Sequence, residues 1–179
     1  MYRREPRDLR DVQRTRLYDA ENRVSEGLVW DSLAGAQSYL DELLTSSWWQ
    51  RHFPSVRCVV LFDQGAKYAL AHKGVHGGAI QFPAWARTQL TLLHELAHLA
   101  SPTGTVGHGP VFAGIYLLLV QHGMGEPVAA QLASHFAARR VRVQPYEGPH
   151  HHDLLRRRRG VAHQGIAARV HSTPTARRP

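Results

Sequence analysis

Thr91-Leu92-Leu93-His94-Glu95-Leu96-Ala97-His98-Leu99-Ala100 is the stretch on which the fold reading turns. It is rich in leucine and alanine and lies in a run from Ala84 to Ser101 that has no internal glycine or proline and is closed by Pro102. That composition predicts one strong helix over the run. Residues four apart stand one turn above each other on the same helix face, so the imidazoles of His94 and His98 can reach one ion. Glu95 projects to one side of the pair, where it can take a proton from a metal-activated water without being a ligand itself. Zinc is the expected metal, because neutral imidazoles and an open fourth position suit it. Histidine is abundant here, 13 of 179 residues, and this pattern arises in about 4% of shuffled chains of the same composition. The uncharged, leucine-rich helical setting is what separates it from coincidence.

A catalytic zinc takes a third protein ligand as a rule. Between His98 and Glu126 the sequence has no aspartate or glutamate. His108 is the nearest candidate, in His108-Gly109-Pro110-Val111-Phe112, where a glycine-containing loop can fold it back over the metal. The metzincin spacing would require a histidine at position 104, which is Gly104. Glu126 and His122 are the rivals. A carboxylate at a helix start explains Glu126 without a metal, and His108 is preferred to both. Tyr68 and Tyr116 are candidates for steadying an oxyanion.

Outward from this helix, the pattern predicts α+β organisation. A helix is expected over about 7–26, with Leu9, Val12, Ala20 and Val24 inward, and a second after a cap at Asp31, burying Leu33, Ala36, Leu40, Leu43 and Leu44. Strands are expected at Val56–Phe62, Lys67–His72 and Ala79–Phe82, the last as a possible sheet edge. Two helices follow, from Pro110 to about His122 and from Glu126 to about Arg140. The expected architecture is a small, mostly antiparallel sheet packed on the active-site helix with flanking helices. Cys58, the single cysteine, excludes an internal disulfide and a cysteine-rich zinc ribbon, and its apolar surroundings predict a buried thiol.

The net charge of +8 is uneven. Residues 144–179 hold seven arginines against Glu147 and Asp153, which leaves +3 for the rest. The domain is therefore expected over 1–143, with 144–179 a basic tail rich in histidine and arginine, expected to be disordered. His150-His151-His152 and Arg156-Arg157-Arg158-Arg159 could contact a metal or a nucleic-acid backbone weakly. The charged N-terminus carries no secretory pattern, and the longest apolar run, Val111–Val120, is too short to span a bilayer. A cytoplasmic location without membrane contact is the expectation.

His94-Glu95-Leu96-Ala97-His98 followed by His108-Gly109-Pro110-Val111-Phe112 resembles the SprT-like and related minimal zincin-like metallopeptidases, over about residues 55–125. That resemblance implies a zincin-like fold, bound zinc and His108 as third ligand. With Arg10-Asp11-Val12-Gln13-Arg14 and Trp48-Trp49 added, the chain also resembles an uncharacterised group of metallohydrolase-like proteins from actinobacteria and their phages. The four-cysteine zinc ribbon that bacterial SprT proteins often add cannot be built here. The expected function is a zinc metallohydrolase, with a peptide or protein as the preferred substrate and Glu95 as general base. The alternative is a non-catalytic zincin-fold binding protein with a structural zinc and a nucleic-acid-binding tail.

Overall fold

The computed structural model describes residues 11–65, 67–146 and 148. Contacts divide the chain into residues 1–146 and 147–179. The fold described is that of the first unit, and the expected basic tail lies, from residue 147 on, almost wholly outside the described residues. Among the described residues the architecture is α+β, with six α-helices and one three-stranded mixed sheet.

Helix α1 spans Arg14–Glu21, shorter than the expected 7–26. Leu17 and Ala20 are its buried residues, whereas Val12 is 65% exposed; Leu9 lies outside the described residues. α2 (Leu33–Thr45) buries Ala36, Leu40, Leu43 and Leu44. Its cap is Ser32, whose hydroxyl accepts from the Gly35 amide, and not Asp31. α3 (Ser47–His52) buries Trp49, whose indole N–H donates to the Val56 carbonyl at 2.8 Å. A buried indole thus keeps its hydrogen bond while it fills the core.

The strands are β1 (Cys58–Phe62), β2 (Leu70–Gly74) and β3 (Gly77–Gln81), in the order β1-β3-β2. β2 pairs antiparallel with β3, but β1 pairs parallel with it. The sheet is therefore mixed and not mostly antiparallel, and the strand expected at Ala79–Phe82 is the central one, Gly77–Gln81, and not an edge. Strand alternation encodes which face is buried but not which strand sits beside which. The close approach at Gly77 reveals the pairing: its φ is +152°, and a Cβ there would stand 1.8 Å from the Cys58 carbonyl oxygen. Only glycine meets both demands. Cys58 starts β1 on its outward face and is exposed, correcting the expected burial; Val59 and Leu61 turn inward instead.

The expected single helix over 84–101 is divided. A short 3₁₀ turn at Ala84–Ala86 precedes α4 (Gln89–Ala100), whose cap Thr88 accepts from the Thr91 amide. Thr88 also bridges to Val29, and this extended pairing cannot coexist with a continuous helix. Nine of the twelve α4 residues are buried. α5 (Pro110–Met124) packs on α4, and α6 (Glu126–Ala138) packs on α5 and α1. α2 covers β1, while α4 lies against β2 and β3. After α6 the chain returns over α5, with the Gln144 amide donating to the Pro110 carbonyl at 2.8 Å. Among the described residues no helix is long and apolar enough to cross a membrane.

Candidate metal centre

α4 and the turn before α5 bring His94, His98 and His108 together. One ligand-capable atom from each lies within 4.8 Å of the others, the one such group among the described residues. His94 Nε2 is 3.2 Å from both His98 Nε2 and His108 Nε2. The local sequence explains how His108 arrives. The Gly109 amide closes a turn onto the Val106 carbonyl, and Pro110 then starts α5, which needs no amide hydrogen there. Phe112, fully buried two residues into that helix, forms an aromatic floor. Its ring centroid lies 5.0 Å from His94, 4.3 Å from His98 and 5.1 Å from His108.

The outer nitrogens of two of these rings are held by carboxylates. His94 Nδ1 meets Glu21 Oε1 at 2.6 Å, and His108 Nδ1 meets Asp11 Oδ2 at 2.5 Å. All four side chains in these pairs are 4–11% exposed. A carboxylate beside Nδ1 fixes the proton there and leaves Nε2 as a lone pair. The Tyr18 hydroxyl, 3.1 Å from His108 Nε2, then serves as donor to that nitrogen. The Tyr18 ring stacks on His94 at 5.4 Å and 18°, and stands edge-on to His108 at 5.1 Å.

Burial pushes the His98 imidazole well below its ordinary proton affinity, and the nearby His94, His108, Lys73 and Arg14 add to this. His108 is also lowered, by burial first, with Asp11 opposing. Both rings are thereby kept neutral near pH 7, the form a metal ligand requires. The donor set fits a small divalent cation. Nitrogens at 2.0–2.1 Å from a tetrahedral zinc stand about 3.3 Å apart, close to the 3.2 Å separations here. Clustered lone pairs repel unless a cation or proton lies between them.

The histidines open onto a cleft of about 590 Å³ whose walls include Asp11, Arg14, Tyr18 and Glu21 from the α1 region, Glu95 from α4, and Leu70, Ala71 and Lys73 from β2. Glu95 is 6% exposed. Lys73 donates to the Ser101 carbonyl beyond α4.

The rival ligands lie elsewhere. Glu126 is exposed in the first turn of α6 and pairs with Gln121. His122 stacks on Trp48 at 3.7 Å, almost parallel. Of the two candidate tyrosines, Tyr68 lines the cleft, while Tyr116 is fully buried. Sequence reasoning missed Asp11, Tyr18 and Glu21 as parts of the centre. Their signal was a 3-4-3 spacing, Asp11, Arg14, Tyr18, Glu21, which marks one helical face. No protein-family model, curated protein or solved structure matches the chain at a significant level.

Proposed function

We propose that the chain is a zinc-dependent hydrolase of zincin-like design, with peptide bonds as its preferred substrate. The observation that carries this reading is the convergence of three Nε2 atoms at one mouth of a cleft, two of them oriented by carboxylates on Nδ1. His94, His98 and His108 would hold the metal. Zinc bound there would supply Lewis acidity to a carbonyl oxygen and to water. Glu95, beside the first ligand and on the cleft wall, is suited to accept the proton of the attacking water and deliver it to the leaving amine. Asp11 and Glu21 keep two imidazoles in the tautomer that presents Nε2.

The strand arrangement supports a peptide substrate. Of the two sheet edges, β1 is occupied by Gln37, whose side-chain amide donates to the Val59 carbonyl at 2.9 Å and accepts from the Leu61 amide at 2.8 Å. The other edge, β2, borders the cleft, where an extended chain could add as a further strand. A structural zinc, by contrast, is closed by a fourth protein ligand, and the ligand-capable group among the described residues has three members. The resemblance to SprT-like metallopeptidases points the same way for the motif and the third ligand.

Glu95→Gln tests the reading against His94→Ala. Glu95→Gln is expected to retain one zinc per chain and to lose about 100- to 10,000-fold in turnover of a mixed peptide pool. His94→Ala is expected to lose the zinc. A zinc-loaded wild type that cleaves no peptide, or a Glu95→Gln variant that cleaves as well as wild type, would refute the proposal.

A further inference from the structure

We propose that Tyr18 is a catalytic residue of this centre, donating its hydroxyl hydrogen bond to the substrate carbonyl oxygen as that oxygen gains charge. The inference rests on the metallohydrolase reading above and deepens it. Its starting point is a conflict between two partners. The Tyr18 hydroxyl lies 3.1 Å from His108 Nε2, and Asp11 on Nδ1 leaves that Nε2 with a single lone pair in the ring plane. One lone pair cannot accept a hydroxyl proton and bind a cation together. When His108 coordinates, the hydroxyl gives up this acceptor and turns aside, while the ring is still held between its neighbours.

The ring is well held. It stacks on His94, meets His108 edge-on, and carries the Arg14 guanidinium 5.6 Å from its centroid. Asp11, just before α1, and Glu21, at the end of α1, are fixed by the bonds to His108 and His94. Displaced from the Nε2 lone pair, the hydroxyl stays tethered by its ring beside His108 and on the wall of the cleft. This is the position a preorganised donor needs, since it acts without rearrangement during the reaction. The other tyrosines are less suitable: Tyr116 is fully buried, and Tyr68 has no ring contact or hydrogen bond to the three histidines among those described.

Water oxygen bonds to the carbonyl carbon, its proton passes to Glu95, and the C=O π pair moves onto the carbonyl oxygen. Tyr18 donates a hydrogen bond to that oxygen without giving up its proton. The C=O bond re-forms as the C–N bond breaks, and the amine takes the proton from Glu95.

The test uses the full chain, zinc-loaded, as wild type, Tyr18→Phe and Tyr68→Phe. Zinc affinity is measured by chelator competition, and acetohydroxamate, a small zinc-directed probe with anionic oxygens, is titrated calorimetrically. Tyr18→Phe is expected to keep zinc affinity within about 3-fold and to bind acetohydroxamate about 10- to 100-fold more weakly. It should also lower kcat about 100-fold or more on the peptide pool, with KM little changed. Tyr68→Phe should match wild type in both titrations. Acetohydroxamate binding that is unchanged in Tyr18→Phe, or equally weakened in Tyr68→Phe, overturns the role of Tyr18 while leaving the zinc reading intact. A parallel loss of zinc in Tyr18→Phe also overturns it, making the residue a ligand or a structural support. A wild type that binds no zinc removes the metallohydrolase reading itself.

Discussion

Replacing Glu21 by glutamine probes how the centre is tuned without touching a ligand. Glu21 accepts from His94 Nδ1 at 2.6 Å, and the two side chains are 11% and 5% exposed. Solvent therefore screens this bond little. The charged acceptor makes it about twice as strong as a neutral one and raises the basicity of Nε2. A glutamine can keep the geometry by presenting its carbonyl oxygen, but it loses the charge. Partners of this kind contribute about 10- to 100-fold to metal affinity, equivalent to about 1.4–2.8 kcal/mol. Competition between the protein and a chromogenic chelator for zinc measures the change directly. Glu26→Gln is the control, because Glu26 lines the same cleft but is exposed and has no described side-chain bond to a histidine. Zinc affinity of Glu21→Gln within 2-fold of wild type, or a loss no larger than that of Glu26→Gln, would refute the argument that this carboxylate supports the metal.

Two further outcomes follow from the geometry. His108→Ala should release zinc on dialysis, whereas His122→Ala, which only removes a ring stacked on Trp48, should keep one equivalent; metal analysis showing the reverse would overturn the choice of third ligand. The zinc-free protein should lose stability as pH falls below about 6.5, the ordinary histidine value. His98 and His108 resist protonation in the fold, so the unfolded chain binds more protons and stability rises with pH over that interval, levelling above it. Thermal melts between pH 5 and 7.5 check this, and a Tm independent of pH would contradict it.

Much of the candidate ligand set was legible because it is local. His94, Glu95 and His98 share one helix, and their spacing alone places them on neighbouring faces. His108 follows through a short loop whose Gly109-Pro110 pair announces a turn and a new helix. Most of the helices were also visible as apolar periodicities, although α3 was not read as a separate helix and Thr88 shows how one extended bridge divides what composition reads as a single run. Strand order was not legible. The parallel pairing of β1 with β3 depends on a carbonyl approaching Gly77, and nothing in the alternation of β1 names its partner. Nor did apolar periodicity reveal Asp11, Tyr18 and Glu21. Asp11 precedes α1, and Tyr18 and Glu21 are polar positions on that short helix beside the buried Leu17 and Ala20; such positions read as a solvated face unless something turns them inward.

Those inward-turned residues have a consequence for how much of the chain such a centre needs. The hydrogen bonds joining them to the histidines span 73, 90 and 97 positions of sequence. A segment cut to begin at Leu33 would retain every proposed metal ligand and Glu95, and would still read as a complete motif. It would nevertheless leave two imidazoles free to turn and one wall of the cleft missing. The short signature and the proposed centre are thus different units: the first is complete within residues 94–112, while the second also needs Asp11, Tyr18 and Glu21 closed over it.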